Sequence, residues 1–119
     1  MTDDLIKHFF GGFVRLHILY HAEQEPICGV EMIEELARHG YSLSPGTLYP
    51  ILHQLESGGY LIATKQVVAG RQRKNYRITA SGRKLLREAR AKLRELGDEV
   101  LSERRPSSQS PSKTKRTRK

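Results

Sequence analysis

The sequence holds one cysteine, no tryptophan and three phenylalanines in 119 residues. Cys28 stands alone, which excludes an internal disulfide and any zinc cluster built from several thiolates. Apolar residues make up 37% of the chain, and no apolar run approaches the roughly 20 residues needed to span a bilayer. The opening Met1-Thr2-Asp3-Asp4 is acidic and lacks the basic-then-apolar order of a secretory leader. A cytoplasmic protein with no membrane partner is therefore expected. Catalytic constellations are missing too: no phosphate-cradling glycine loop, no nucleophile at a fixed spacing from a base, no carboxylate pair. Neither an enzyme nor a bound cofactor is expected. The length suggests one domain with a modest core, and such domains commonly gain stability by pairing.

What is present is charge, laid out in blocks. Residues 1–64 carry 3 basic and 8 acidic side chains, and residues 65–94 carry 11 basic and 1 acidic. Residues 95–103 hold 4 acidic and no basic side chains, and residues 104–119 hold 7 basic and no acidic ones. The net charge of +8 thus hides a directional field. Concentrated positive charge beside an element that can read DNA is the footprint of a polyanion partner.

The helical signals come first. Thr2 is placed to cap a helix whose first turn carries Asp3 and Asp4, favourable at the positive end of the helix dipole. Ile6, Phe9, Phe13, Leu16 and Tyr20 then recur at helical spacing, although Gly11-Gly12 weakens the helix and is a place for it to bend or break. Glu25-Pro26 reads as a loop. From Gly29, the residues Val30, Ile33, Leu36 and Ala37 predict a second, shorter amphipathic helix, stopped by His39-Gly40. Ser44 as N-cap and Pro45 at the first helical position open a third helix, with Leu48, Ile51, Leu52 and Leu55 as its buried face and Gly58-Gly59 at its end.

The rest of the chain changes period. Residues 60–68 are β-prone, Gly70 marks a turn, and 73–79 alternates, with Tyr76 and Ile78 on one face and Arg73, Asn75 and Arg77 on the other. That predicts a hairpin with a basic tip. Thr79 caps a last helix whose seam is Leu86, Ala89, Leu93, Leu96 and Val100. From Arg104 onward no apolar residue occurs, so the tail cannot contribute to a core and is expected to be disordered. Two helices joined by the short 40–43 connection make a helix-turn-helix, and a hairpin directly after them makes it winged. The fold class is therefore mainly α with a small β-hairpin. Residues 1–79 form the winged helix-turn-helix, 80–103 a C-terminal dimerisation helix, and 104–119 a disordered basic tail.

Two blocks carry a family resemblance. One is Leu43-Ser44-Pro45-Gly46-Thr47-Leu48-Tyr49, continuing to Leu52, Leu55, Glu56, Gly59 and Tyr60; the other is Gly70-Arg71-Gln72-Arg73-Lys74-Asn75-Tyr76-Arg77-Ile78-Thr79, then Gly82. In this order and at this separation they resemble the PadR family, named for phenolic-acid decarboxylase repressors, in its compact subgroup. The resemblance covers about residues 5–103. It implies a homodimer that represses promoters by binding pseudo-palindromic operators in double-stranded DNA. One departure is Cys28-Gly29-Val30, where family members often carry His-Gly-Tyr.

The candidate DNA-binding residues fall in two elements. In the third helix they are Ser44, Pro45, Gly46, Thr47, Tyr49, Pro50 and His53, whose helix start is expected to enter the major groove. Backbone amides there favour a phosphate, and Pro50 removes one helical hydrogen bond and can kink the helix. Tyr49 has the competing reading of a half-buried packing residue. In the hairpin the candidates are Arg71, Arg73, Lys74 and Arg77, which suit the backbone or minor groove; a solvated basic loop is the plainer alternative.

Dimerisation is expected from Phe9, Phe13, Leu86, Ala89, Leu93, Leu96 and Val100, with packing against the first helix of the same chain as the alternative. A small-molecule effector, where one acts, would sit between the first and last helices of the dimer. Phe9, Phe10, Phe13, Leu93 and Leu96 would line it or form dry core. His17 and His21 stand four apart, a metal-capable spacing, but two imidazoles without a third firm ligand do not define a metal site, and none is expected. Two rival functions remain: a winged-helix protein-interaction module, and a nonspecific nucleic-acid-binding protein relying on its tail. Arginines on the wing weigh against the first, and a preference for sequence would exclude the second.

Overall fold

The computed structural model describes residues 2–102. The elements, in order, are α1 (Thr2–Gln24), β1 (Ile27–Cys28), α2 (Gly29–Arg38), α3 (Pro45–Ser57), β2 (Leu61–Val68), β3 (Arg71–Ile78) and α4 (Ala80–Val100). The fold is a winged helix-turn-helix: three helices, a hairpin, and a last long helix. The basic tail expected at 104–119 lies outside the described residues. Residues 1–89 form one compact unit and residues from Arg90 on another. Among the described residues no helix is long and apolar enough to cross a membrane.

α1 is apolar on two sides, and the structure chooses the side that periodicity alone does not favour. Val14, Ile18, Leu19 and Ala22 are buried. Of the expected stripe, Ile6, Phe9 and Tyr20 are exposed while Phe13 and Leu16 are half-buried. The helix also runs unbroken through Gly11-Gly12 and already includes Thr2. Each glycine costs about 1 kcal/mol relative to alanine, which the buried face that follows offsets. Arg15 Nη1 adds a bond to the Gly11 carbonyl at 3.0 Å.

α2 is rotated relative to the face expected for it. Met32 and Leu36 are buried, Ile33 is half-buried, and Val30 is 60% exposed. α3 keeps its expected face, with Leu48, Leu52 and Leu55 buried and Ile51 half-buried. Both helices end in the same device. Tyr41 N–H donates to Leu36 O (2.9 Å) and Gly40 N–H to Ala37 O (3.0 Å); Tyr60 N–H donates to Leu55 O (2.9 Å) and Gly59 N–H to Glu56 O (3.0 Å). These pairs are Schellman caps, and the left-handed residue that each needs is a glycine, Gly40 at φ +90° and Gly59 at φ +84°.

The sheet is antiparallel in the order β1-β3-β2. Leu61 faces Ile78, Ala63 faces Tyr76, and Ile27 of β1 faces Tyr76 from the other side. The two-residue strand β1 stands where the sequence suggests only loop. Pairing with β3 creates it, and nothing local specifies two residues as a strand. The hairpin turns through Ala69 (φ 52°) and Gly70 (φ 77°), the double left-handed geometry of a type I′ turn.

Thr79 joins the hairpin to α4. Its hydroxyl donates to the Gly59 carbonyl at 2.6 Å and accepts from Gly82 N–H at 3.0 Å, the expected N-cap, and its own N–H donates to Tyr60 O at 3.1 Å. Gly82 lies buried under this junction. A Cβ there would meet the Tyr60 carbonyl oxygen and lie 2.6 Å from Ile78 Cγ1. Gly12, by contrast, has open space beside it. Gly12→Ala is therefore expected to stabilise the chain by up to about 1 kcal/mol through helix propensity. Gly82→Ala is expected to lose about 1–3 kcal/mol through overpacking. Urea denaturation of both variants checks the pair, and a Gly82→Ala chain as stable as the parent would contradict the close packing described.

Candidate nucleic-acid interface

The start of α3 is built to be presented. Ser44 Oγ accepts from Thr47 N–H at 3.3 Å, and the Ser44 hydroxyl lies the same 3.3 Å from Thr47 Oγ1. Pro45, which needs no donor at a helix start, stands at the first position. Ser44, Pro45, Gly46, Thr47, Pro50 and His53 are all exposed. Pro50 leaves the Gly46 carbonyl without its helical donor, yet α3 runs through it without interruption. The positive end of the helix dipole thus faces solvent where an anion can reach it.

Tyr49 is half-buried and packs its ring on Gly29, the first residue of α2. A Cβ at Gly29 would lie 2.6 Å from Tyr49 Cε1 and Cζ, so a side chain there displaces the ring. The packing expected of Tyr49 is present, and its ring still borders solvent. It lines a cleft of ≈ 360 Å³ together with Cys28, Gly29, Val30 and, from the hairpin, Val68, Arg71, Gln72, Arg73 and Lys74. The helix and the wing therefore share one concave surface.

The wing's cations divide into two kinds. Arg71 and Arg77 are exposed and make no ion pair among the described residues. Arg73 is half-buried: its Nη2 donates to Cys28 Sγ at 3.1 Å and lies 3.5 Å from Glu31 Oε2. Glu31 also accepts the Cys28 backbone N–H at 3.1 Å. That bond is the main reason its carboxyl is held below the ordinary range, with the Cys28 side chain and Arg73 adding smaller effects. Lys74 lies 3.5 Å from Glu56 Oε1, with its Nζ 5.6 Å from the Tyr76 ring centroid. Arg73 and Lys74 thus tie the wing to α2 and α3. The Cys28–Glu31–Arg73 network was not legible in the sequence, because Arg73 stands 42 positions from Glu31 and 45 from Cys28 and reaches them only through the pairing of β1 with β3.

The residues expected at a dimer contact also divide. Leu86 is buried, 4% exposed, in the core of its own chain and is removed from any surface a second copy could cover. Ala89 is half-buried. Phe9 is 50% exposed and its ring lies tilted against those of Phe10 and Phe13 at centroid distances of 5.5 and 4.7 Å. Leu93, Leu96 and Val100, on the separate unit from Arg90 on, are exposed, with Leu101 beside them.

Comparison with known proteins agrees with this geometry. Residues 18–88 match the family described as the transcriptional regulator PadR-like family. The chain is 50% identical over 96 residues to "Transcriptional regulator Rv3488" of Mycobacterium tuberculosis, covering 81% of this chain and 90% of that protein. It is similar in structure to a PadR family transcriptional regulator from Eggerthella lenta, at TM-score 0.72 and 31% identity, over 83% of this chain and 88% of that one. A PadR-like transcriptional regulator from Bacillus cereus matches at TM-score 0.72 and 28% identity, over 79% of this chain and 93% of that one. These relatives are regulators of transcription and not enzymes. By its matched segment, its fold and its relatives, the chain belongs to the PadR-like family of transcriptional regulators.

Proposed function

We propose that two copies of this chain bind one pseudo-palindromic operator and repress the adjoining promoter. The observation that carries this reading is the shared surface: Tyr49 of α3 lines one cleft with Arg71 of the wing, which has no ion pair among the described residues, and the N-terminus of α3 that precedes Tyr49 is exposed. The start of α3, with Ser44, Gly46 and Thr47, enters the major groove and reads base edges, while Arg71 and Arg77 hold the backbone or minor groove. Arg73 and Lys74 hold the wing at its angle and reach phosphates from there. A regulator of this kind works where the chromosome lies, in the cytoplasm.

Pairing follows from exposed apolar side chains. Phe9 on α1 and Leu93, Leu96 and Val100 on α4 leave more apolar surface in water than a lone chain of this size usually tolerates. A second copy covers them and sets two α3 helices about one DNA turn, or ~34 Å, apart. The domain division is then a winged helix-turn-helix followed by a helix whose distal part serves the partner.

A mobility-shift titration on DNA upstream of the chain's own gene tests the reading. Tight binding to that DNA and none to a scrambled duplex is expected; equal binding to both would favour a nonspecific nucleic-acid protein. Each lost phosphate contact lowers the log–log salt slope by about 0.9, so Arg71→Ala should lower affinity and slope for every sequence. Thr47→Ala should instead change the preference among sequences. Sedimentation tests the pairing separately: Leu96→Glu should shift a dimer to monomers and weaken operator binding steeply. A parent chain that sediments as a monomer while binding the operator tightly would defeat the two-copy reading.

A further inference from the structure

The sequence offers two histidines at metal-capable spacing on α1, and the fold supplies a third. His17, His21 and His39 converge, with one ligand-capable atom of each lying within 4.8 Å of those of the other two. The His17 and His39 rings stack at 4.5 Å, and His21 lies 6.3 Å from His17 and 5.7 Å from His39, ring centre to ring centre. His39 comes from the C-cap of α2, so the cluster bridges two helices. No sequence pattern joins it to the α1 pair, because it arrives through the packing of α2 on α1.

Two further observations mark the cluster as more than stacked rings. Nε2 of His21 is buried and has no hydrogen-bond partner, a cost that a folded chain seldom carries without reason. The other nitrogen of that ring, Nδ1, lies 3.5 Å from Glu35 Oε2. Glu35 is held in turn by Arg38. A carboxylate facing one ring nitrogen while the other nitrogen is left free is the arrangement that orients a metal-binding histidine and fixes its tautomer. A cleft of ≈ 390 Å³ opens beside His21, bordered by Glu25, Glu31, Glu34 and Glu35 against the single cation Arg38, so the approach is acidic.

We propose that His17, His21 and His39 bind one divalent transition-metal ion through imidazole nitrogens, with Glu35 as the carboxylate behind His21. Imidazole is the preferred donor for zinc, cobalt, nickel and copper and a poor one for magnesium or calcium, which sets the class of ion. Metal–nitrogen bonds of about 2.0–2.1 Å put neighbouring nitrogens roughly 3.3 Å apart in a tetrahedral site. Rotation of the rings, with the exposed His39 free to swing, closes the remaining distance. The ion leaves a fourth position for water or a further ligand. The rings already favour the neutral form that a metal needs: burial first, then the neighbouring His39, keeps His17 and His21 below the ordinary histidine range. Since His39 opens the turn that leads into α3, the ion would pin α1 to the entrance of the helix-turn-helix.

The site is tested on the untagged full-length chain, stripped with a chelator and titrated with Co(II), followed by displacement with Zn(II). One equivalent per chain is expected, with visible cobalt bands from nitrogen ligation and a raised Tm in the presence of metal. His39→Gln, at an exposed helix end, should keep the fold and lose most of the affinity. Glu35→Gln, which keeps every ligand, should weaken binding about tenfold. His8→Gln and His53→Gln should leave it unchanged. Absence of saturable binding at submillimolar Co(II) or Zn(II) would overturn the proposal, as would binding undiminished by His39→Gln. Metal binding alone is read out, so the result does not depend on which DNA the chain recognises.

Discussion

The position of α3 depends on its back. Leu48 and Leu52 have no exposed surface, and they seat the helix in a core to which α1 contributes Ile18 and Leu19, α2 Met32 and Leu36, and the sheet Leu61 and Tyr76. Burying each leucine side chain contributes about 1.5–3 kcal/mol. In a core this small, two such residues on one helix are a large share of what holds it. Among the described residues no charged or polar side chain is buried with them. The seating is therefore made mainly by shape and apolar area, with polar contacts only at its margin, from Arg15 of α1 to Gln54 and from Lys74 of β3 to Glu56.

That division explains which parts of the molecule could be read from the chain beforehand. The caps were legible because their chemistry is local: Ser44-Pro45 opens α3, Thr79 opens α4, and Gly40 and Gly59 close α2 and α3 within a few residues of the signal. The inward face of β3 was legible from the alternation that buries Tyr76 and Ile78. α1 was misread because both of its sides are apolar, and only contact with α2 and β3 decides that Val14 and Ile18 go inward. α2 was misread for a related reason. Gly29 lets the Tyr49 ring close over the helix start, and Met32 rather than Val30 turns to the core.

The wing shows how a uniform-looking basic block takes on unlike tasks. Lys65 and Lys74 face each other across β2 and β3, a like-charge pair that sequence alone would count as two equal cations. Glu56 of α3 draws Lys74 away, and Glu31 of α2 does the same for Arg73. Acidic residues from the first half of the chain thus anchor the inner cations, and the segregation of charge along the sequence becomes partial neutralisation in space. Arg71 and Arg77 are exposed and have no such acidic partner among the described residues. These ion pairs are exposed or half-buried, so each adds little to stability; their effect is to orient the wing.

Among the described residues β2 forms an outer border of the sheet, and it carries Ile62, Val67 and Val68 in the open. Such a border is a template on which a second chain can lay a strand of its own. Lys65 along it, and the arginines of the neighbouring strand, repel an identical border laid against this one. Concentrated salt screens that repulsion while leaving the apolar side chains as sticky as before. Conditions chosen to strip nucleic acid from the purified protein would thus also favour its self-association, which makes a low-salt exchange soon after that step the safer course for handling it.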